Sequence, residues 1–136
     1  LILLIEDNPA DAGLVREALE AHGVDCELLV ITDGERAIRY LAELDSGAVL
    51  SPDLVILDLN LPKRSGHEVL HSMRQSSKLQ DTTIIVLTSS DAHCDRTASL
   101  SAGASQFIRK PLRLKEFRSL GSIFKETIDA AAGGRN

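Results

Sequence analysis

Aromatic residues are nearly absent: the 136 residues hold no tryptophan, one tyrosine and three phenylalanines. A flavin-type cofactor wants aromatic rings to lie between, so that class of binder is disfavoured at the outset. Cysteine is also scarce. Cys26 and Cys94 lie far apart and form no Cys-x-x-Cys pair, which fits reduced thiols in a cytoplasmic chain. No apolar run approaches the ~18 residues of a membrane span. The run at residues 1–5 is too short for the apolar part of a signal peptide and is followed at once by acids. Excess positive charge is missing as well. The net charge is −5, which argues against a broad nucleic-acid or anionic-membrane footprint. The chain opens at Leu1 without an initiator methionine, as expected if a few residues precede it.

What is present fits one soluble domain. The length suffices for a proper core, and 43% hydrophobic with 26% charged residues is ordinary for a globular protein. Apolar runs alternate with helix-like stretches, the pattern of β-α repeats around a parallel sheet. Strands are expected at residues 1–5, 27–31, 54–57, 83–87 and 106–109. The nearly unbroken Val/Ile/Leu runs suit strands covered on both faces; the last is shorter and more polar, which places it at an edge. Asn8-Pro9 supplies an N-cap and a proline at the first helical position. The first helix then carries Leu14, Val15, Ala18 and Leu19 at helical spacing and ends at Gly23. Further helices are expected after Asp33-Gly34, at 66–75, at 91–102 and at 112–128. The fourth is weak in large apolar residues. The last carries Leu114, Phe117, Leu120, Ile123 and Phe124 on one side. A loop of small and polar residues covers 45–52. The domain is expected to span 1–129, with 130–136 as a tail.

The chemistry concentrates where the strands end. Glu6-Asp7 follow the first run, Asp58 the third, Thr88 the fourth and Lys110-Pro111 the fifth. Parallel strands would bring these ends to one edge, and such sheets bind ligands outside their carboxyl ends. Three acids suit a hard divalent cation such as Mg²⁺, which prefers oxygen ligands. A carboxylate is also a nucleophile able to form an acyl phosphate, a lysine is a point-charge phosphate binder, and the Thr88 hydroxyl could meet a phosphate oxygen. Acids at strand ends are common turn residues taken singly; the ordered set of four is far more specific.

These segments, Ile5-Glu6-Asp7-Asn8, Asp58-Leu59-Asn60-Leu61-Pro62 with Gly66 beyond, Leu87-Thr88-Ser89 and Lys110-Pro111, resemble the receiver domain of two-component response regulators. The resemblance runs over essentially the whole chain. The loop at 45–52 and the wording from Asp58 to Pro62 are similar to the small stand-alone receivers that pair with phytochrome-type histidine kinases. The resemblance implies a flavodoxin-like, doubly wound α/β fold with five parallel strands in the order 2-1-3-4-5. It implies that Asp58 takes a phosphoryl group from a kinase phosphohistidine. Asp7 would bind Mg²⁺ directly, Glu6 through water, and the Asn60 carbonyl would complete the set. Thr88 and Lys110 would contact the phosphoryl oxygens. Phe107 would be the aromatic switch, rotating inward as Thr88 moves, and the Lys110–Pro111 bond would be cis. Implied partners are a sensor histidine kinase or phosphotransfer protein, and a homodimer; no nucleic acid and no membrane. The chain would be a signalling domain rather than an enzyme, with output by protein contact.

Two rival motifs weigh less. His67-Glu68-Val69-Leu70-His71 matches His-Glu-x-x-His, a zinc hydrolase pattern. The buried stripe of that helix is Val69, Leu70 and Met73, so at ~100° per residue the two histidines should face water, and only His93 remains as a third ligand. A haloacid-dehalogenase-type phosphatase needs a second Asp two residues past its nucleophile, where this chain has Asn60.

Overall fold

In the computed structural model, residues 1–90 and 92–133 are described. Five strands form one sheet, β1 (Ile2–Ile5), β2 (Leu28–Ile31), β3 (Leu54–Leu57), β4 (Thr83–Thr88) and β5 (Gln106–Arg109), in the order β2-β1-β3-β4-β5. All neighbours run parallel. The fold is flavodoxin-like, as the family resemblance implies, and the alternation of runs agrees with its parallel sheet. β1 and β3 are buried along their whole length, while the edge strands β2 and β5 are not.

Parity along the strands sorts the two faces, since successive side chains alternate. Leu3, Ile5, Val55, Leu57, Ile84 and Val86 pack under α2 (Gly34–Asp45) and α3 (Gly66–Gln75). Ile2, Leu4, Leu54, Ile56, Ile85 and Leu87 pack under α1 (Pro9–Ala21), α5 (Leu114–Ser119) and α6 (Gly121–Gly133). α4 (His93–Ser101) lies beside β5 and buries only Ser99. Local chemistry starts the helices that flank the site. The Asn8 side chain accepts the N–H groups of Ala10 and Asp11, Asp33 accepts from Arg36, and Ser65 from Glu68.

Three expectations need correction. The helix expected over 112–128 is two helices. Leu120 has φ −61 and ψ −21, and i to i+3 bonds from Leu120 N–H to the Phe117 carbonyl and from Ile123 N–H to the Leu120 carbonyl tighten the joint. At Gly121 a Cβ would lie 2.2 Å from the Ala18 carbonyl oxygen, so this glycine lets the joint settle against α1. Leu114, at the first position of the shorter helix, is 52% exposed, while Phe117, Leu120 and Phe124 are buried. The helix continues to Gly133, past the expected boundary at 129, and the rest of the expected tail lies outside the described residues. Finally, the Lys110–Pro111 bond is trans. X-Pro bonds favour trans by ~0.5–1 kcal/mol, and Lys110 reaches its partners in that form. The expected start of α4 at Asp91 also lies outside the described residues.

Candidate functional site

Register brings the acids together. Ile5 pairs with Leu57, so Glu6 and Asp58 each stand one residue past a matched pair. They continue the parity of Ile2–Leu4 and Leu54–Ile56, and therefore look toward the α1 face. Lys110 continues the parity of Ile108 on β5, and its backbone N–H donates to the Thr88 carbonyl at 2.7 Å. The three side chains meet beneath the first turn of α1.

Glu6 and Asp58 are almost fully buried, at 3% and 4% exposure; Asp7 is exposed. Carboxylate oxygens of Glu6, Asp7 and Asp58 all lie within 4.8 Å of one another, the one such group of three among the described residues. The Lys110 ammonium donates to Glu6 Oε1 at 2.6 Å, to Asp58 Oδ2 at 2.8 Å and to Asp11 Oδ2 at 2.8 Å. The Asn60 N–H donates to Asp58 Oδ1 at 3.1 Å, and the Asn8 N–H to Glu6 Oε2 at 3.3 Å. A cavity of about 230 Å³ opens over the group, lined by Glu6, Asp7, Asn8, Asp11, Asp58, Asn60, Ser89 and Lys110.

Crowding like charges has a titration signature. Burial, opposed in part by the bond from Lys110 and reinforced by the charge of Asp58, raises Glu6 to about 7. Burial alone would depress Lys110, but its bonds to Asp11, Asp58 and Glu6 outweigh that and hold it firmly protonated. A set of hard oxygen donors around one partly neutralised pocket fits a divalent cation.

Thr88 and Phe107 follow the other parity. Thr88 continues Ile84 and Val86 toward the α3 side and is fully buried, its Oγ1 accepting the Ser90 N–H at 3.4 Å. Phe107 packs at the margin of the same face, half-buried, with the Arg96 guanidinium of α4 5.8 Å from its ring centre. Of the sequence-derived residues, Glu6, Asp7, Asp58, Asn60 and Lys110 thus share the cavity, while Thr88 and Phe107 flank it on the far side of the sheet. Asp11 was missed. Parity plus the Asn8 cap could have found it, because both direct the first turn of α1 over Glu6 and Asp58.

The histidines separate. His71 is exposed and meets Gln75, whereas His67, expected in water, is half-buried with Nε2 3.2 Å from Asp95 Oδ1. Asp95 also accepts from Ser90 Oγ at 2.5 Å. The bonds from Ser90 and then His67 hold the Asp95 carboxyl below its usual range. His67 bridges α3 to α4 instead of joining His71 around a metal. Helical phase alone could not show this, since the bond depends on where α4 sits.

Fold and pocket together define a class: a doubly wound parallel domain with an acid-and-lysine pocket at the carboxyl edge of its sheet. The chain belongs to the response regulator receiver domain family, whose model matches residues 2–120. It is 34% identical over 139 aligned positions to response regulator Rcp1 of Synechocystis sp., covering 97% of this chain and 93% of that protein. A crystal structure of the Mn²⁺-bound form of Rcp1 superposes with a TM-score of 0.82 at 34% identity, covering 92% of this chain and 91% of the other. The phosphorylated cyanobacterial phytochrome response regulator RcpA does so with a TM-score of 0.83 at 33% identity, covering 92% and 90%.

Proposed function

We propose that this chain is the receiver of a two-component phosphorelay, with Asp58 as phosphoacceptor. The observation that carries the reading is the convergence of Glu6, Asp7 and Asp58 within 4.8 Å, with the Lys110 ammonium on Asp58 Oδ2 at 2.8 Å. A carboxylate oxygen of Asp58 attacks the phosphorus of a kinase phosphohistidine. The P–N bond breaks, its electron pair returns to the imidazole nitrogen, which takes up a proton, and an acyl phosphate remains. The Asn60 N–H fixes the orientation of Asp58. Glu6, Asp7, Asp58 and the Asn60 carbonyl would hold Mg²⁺, which when bound screens the charge of the incoming phosphoryl group. Mn²⁺ in the Rcp1 structure supports a divalent ion of this kind.

Lys110 and the Thr88 hydroxyl contact the phosphoryl oxygens. Thr88 is the mobile member, because it reaches the pocket only by leaving its bond with the Ser90 N–H. Its departure opens space for Phe107 to rotate inward, at the cost of the Arg96 contact. The change is read on the face of α4, β5 and α5 by protein contact. Leu100, Leu112 and Leu114 are exposed there at 41%, 93% and 52%, which favours a protein partner or a second copy. A sensor histidine kinase or phosphotransfer protein supplies the phosphoryl group, in the cytoplasm.

Intact-mass measurement after incubation with acetyl phosphate and Mg²⁺ tests the reading. Wild type gains one phosphoryl group, and Asp58→Asn gains none. Labelling that persists in Asp58→Asn refutes the assignment; no labelling of wild type under any donor makes the chain a docking module.

A further inference from the structure

The two ends of α4 are held in different ways. Past its last turn, the Gly103 carbonyl accepts from Arg74 Nε of α3 at 2.8 Å, and the same guanidinium is anchored on the carbonyls of Leu79 and Thr82. The first turn has no such anchor. Its N-cap, Ala92, offers no side-chain bond, and the helix buries only Ser99, one turn from the far end. Asp95 holds this end instead. Its Oδ1 lies 3.2 Å from His67 Nε2 on α3, and its Oδ2 accepts from Ser90 Oγ at 2.5 Å. A carboxylate only accepts, so both neighbours donate to it. Ser90 is tied a second time through its backbone N–H, which donates to Thr88 Oγ1 at 3.4 Å. His67, Asp95, Ser90 and Thr88 thus form a continuous chain of bonds from α3, across the first turn of α4, to the end of β4. Thr88 does not line the cavity over Asp58. To reach a phosphoryl group there it has to change rotamer, a step of about 120°. A bond already 3.4 Å long does not survive that step. The Ser90 N–H then needs another acceptor, and a shift of Ser90 pulls on its short bond to Asp95.

We infer that Asp95 is a positioning residue that latches the first turn of α4 to α3 and, through Ser90, to the Thr88 hydroxyl in the unphosphorylated form. The inference rests on the phosphoacceptor reading of Asp58 and deepens it. The latch is complete only while Thr88 faces away from the pocket, so it favours that form and opposes the switch. When it opens, α4 pivots about the end that Arg74 holds. By linkage, whatever weakens the latch tightens the binding of a group that draws Thr88 to the pocket.

The experiment titrates beryllofluoride, which mimics a phosphoryl group on a carboxylate, into the protein at saturating Mg²⁺ and follows binding in the amide NMR spectrum. Wild type is compared with Asp95→Ala and His67→Ala, and the Asp95→Ala comparison is repeated in a Thr88→Ala background. Asp95→Ala lowers the half-saturating concentration about threefold to tenfold, the value of about one net hydrogen bond. His67→Ala opens only the α3 side and lowers it less; its side chain is 37% exposed, so this variant keeps the test alive if Asp95→Ala does not fold. In the Thr88→Ala background Asp95→Ala changes the concentration less than about twofold, because the link to the pocket is already cut. A mere loss of negative charge near the pocket would act equally in both backgrounds. A role confined to helix stability would lower the urea midpoint and leave beryllofluoride binding alone. Equal half-saturating concentrations for wild type and both single variants, or the same Asp95→Ala ratio with and without the Thr88 hydroxyl, overturn the inference and leave the phosphoacceptor reading standing. A wild type that binds no beryllofluoride and takes no label from acetyl phosphate removes both.

Discussion

Glu6 is the residue whose protonation the pocket controls most visibly. Its carboxyl is raised from 4.5 to about 7, first by burial. Between those values the folded state keeps a proton that the unfolded state has lost. Stability therefore falls as pH rises through that window. Urea midpoints measured in a chelator from pH 5 to pH 8 should decline for wild type. Glu6→Gln removes the buried charge, so its midpoint should be higher at pH 8 and its pH slope flatter; an unchanged slope would show that Glu6 is not the titrating group. The acids of the pocket were legible as residues, because Glu6, Asp7 and Asp58 each end or follow an apolar run. Their partners were not. Lys110 was expected on phosphate alone, yet it is bonded to three carboxylates, and Asp11 sits in a helix turn where an acid has an ordinary reason to be, beside the positive end of the helix dipole.

At the level of elements, two glycines show how tightly the helices close on the site. A Cβ at Gly66 would lie 2.4 Å from Leu59 Cα and 2.5 Å from the Asp58 carbonyl oxygen, so α3 starts against the backbone that carries Asp58. Gly121 does the same for α1 and the α5–α6 joint. Gly121→Ala has to push α1 outward and should cost about 1–3 kcal/mol, read from the urea midpoint, with Asp58 labelling retained. Arg74 ties other elements together, donating to the carbonyls of Leu79, Thr82 and Gly103 at 2.7, 2.8 and 2.8 Å. The bounds of α3 and β5 could be read from the sequence because capping and apolar pattern agree there. The α5–α6 break could not, since Phe117, Leu120 and Phe124 keep one helical phase across it and only the fit against Ala18 demands the joint.

For the whole molecule, sheet order and site form one geometric fact: β1 and β3 lie side by side at the centre, and their acids share one end. A cation that binds this end only in the folded state should raise global stability by mass action, ~2.7 kcal/mol at a hundredfold excess over its dissociation constant. Thermal unfolding with and without Mg²⁺ should show a rise for wild type and little for Asp7→Ala, whose exposed side chain contributes little packing of its own. An equal rise in both would place the ion elsewhere. The alternation of strands and helices was enough to foresee a parallel sheet covered on both faces, while the order that sets β1 beside β3 came with the family resemblance. The bridge from His67 to Asp95 was not foreseeable, because it belongs to the placement of one helix on another. That placement is loosely held. Ser99 is the one buried residue of α4, and its Oγ has no hydrogen-bond partner among the described residues. Such a helix forfeits almost no apolar contact by sliding, so its amides should exchange with deuterium well before those of α1 or α3, and small forces from the sheet edge suffice to shift it.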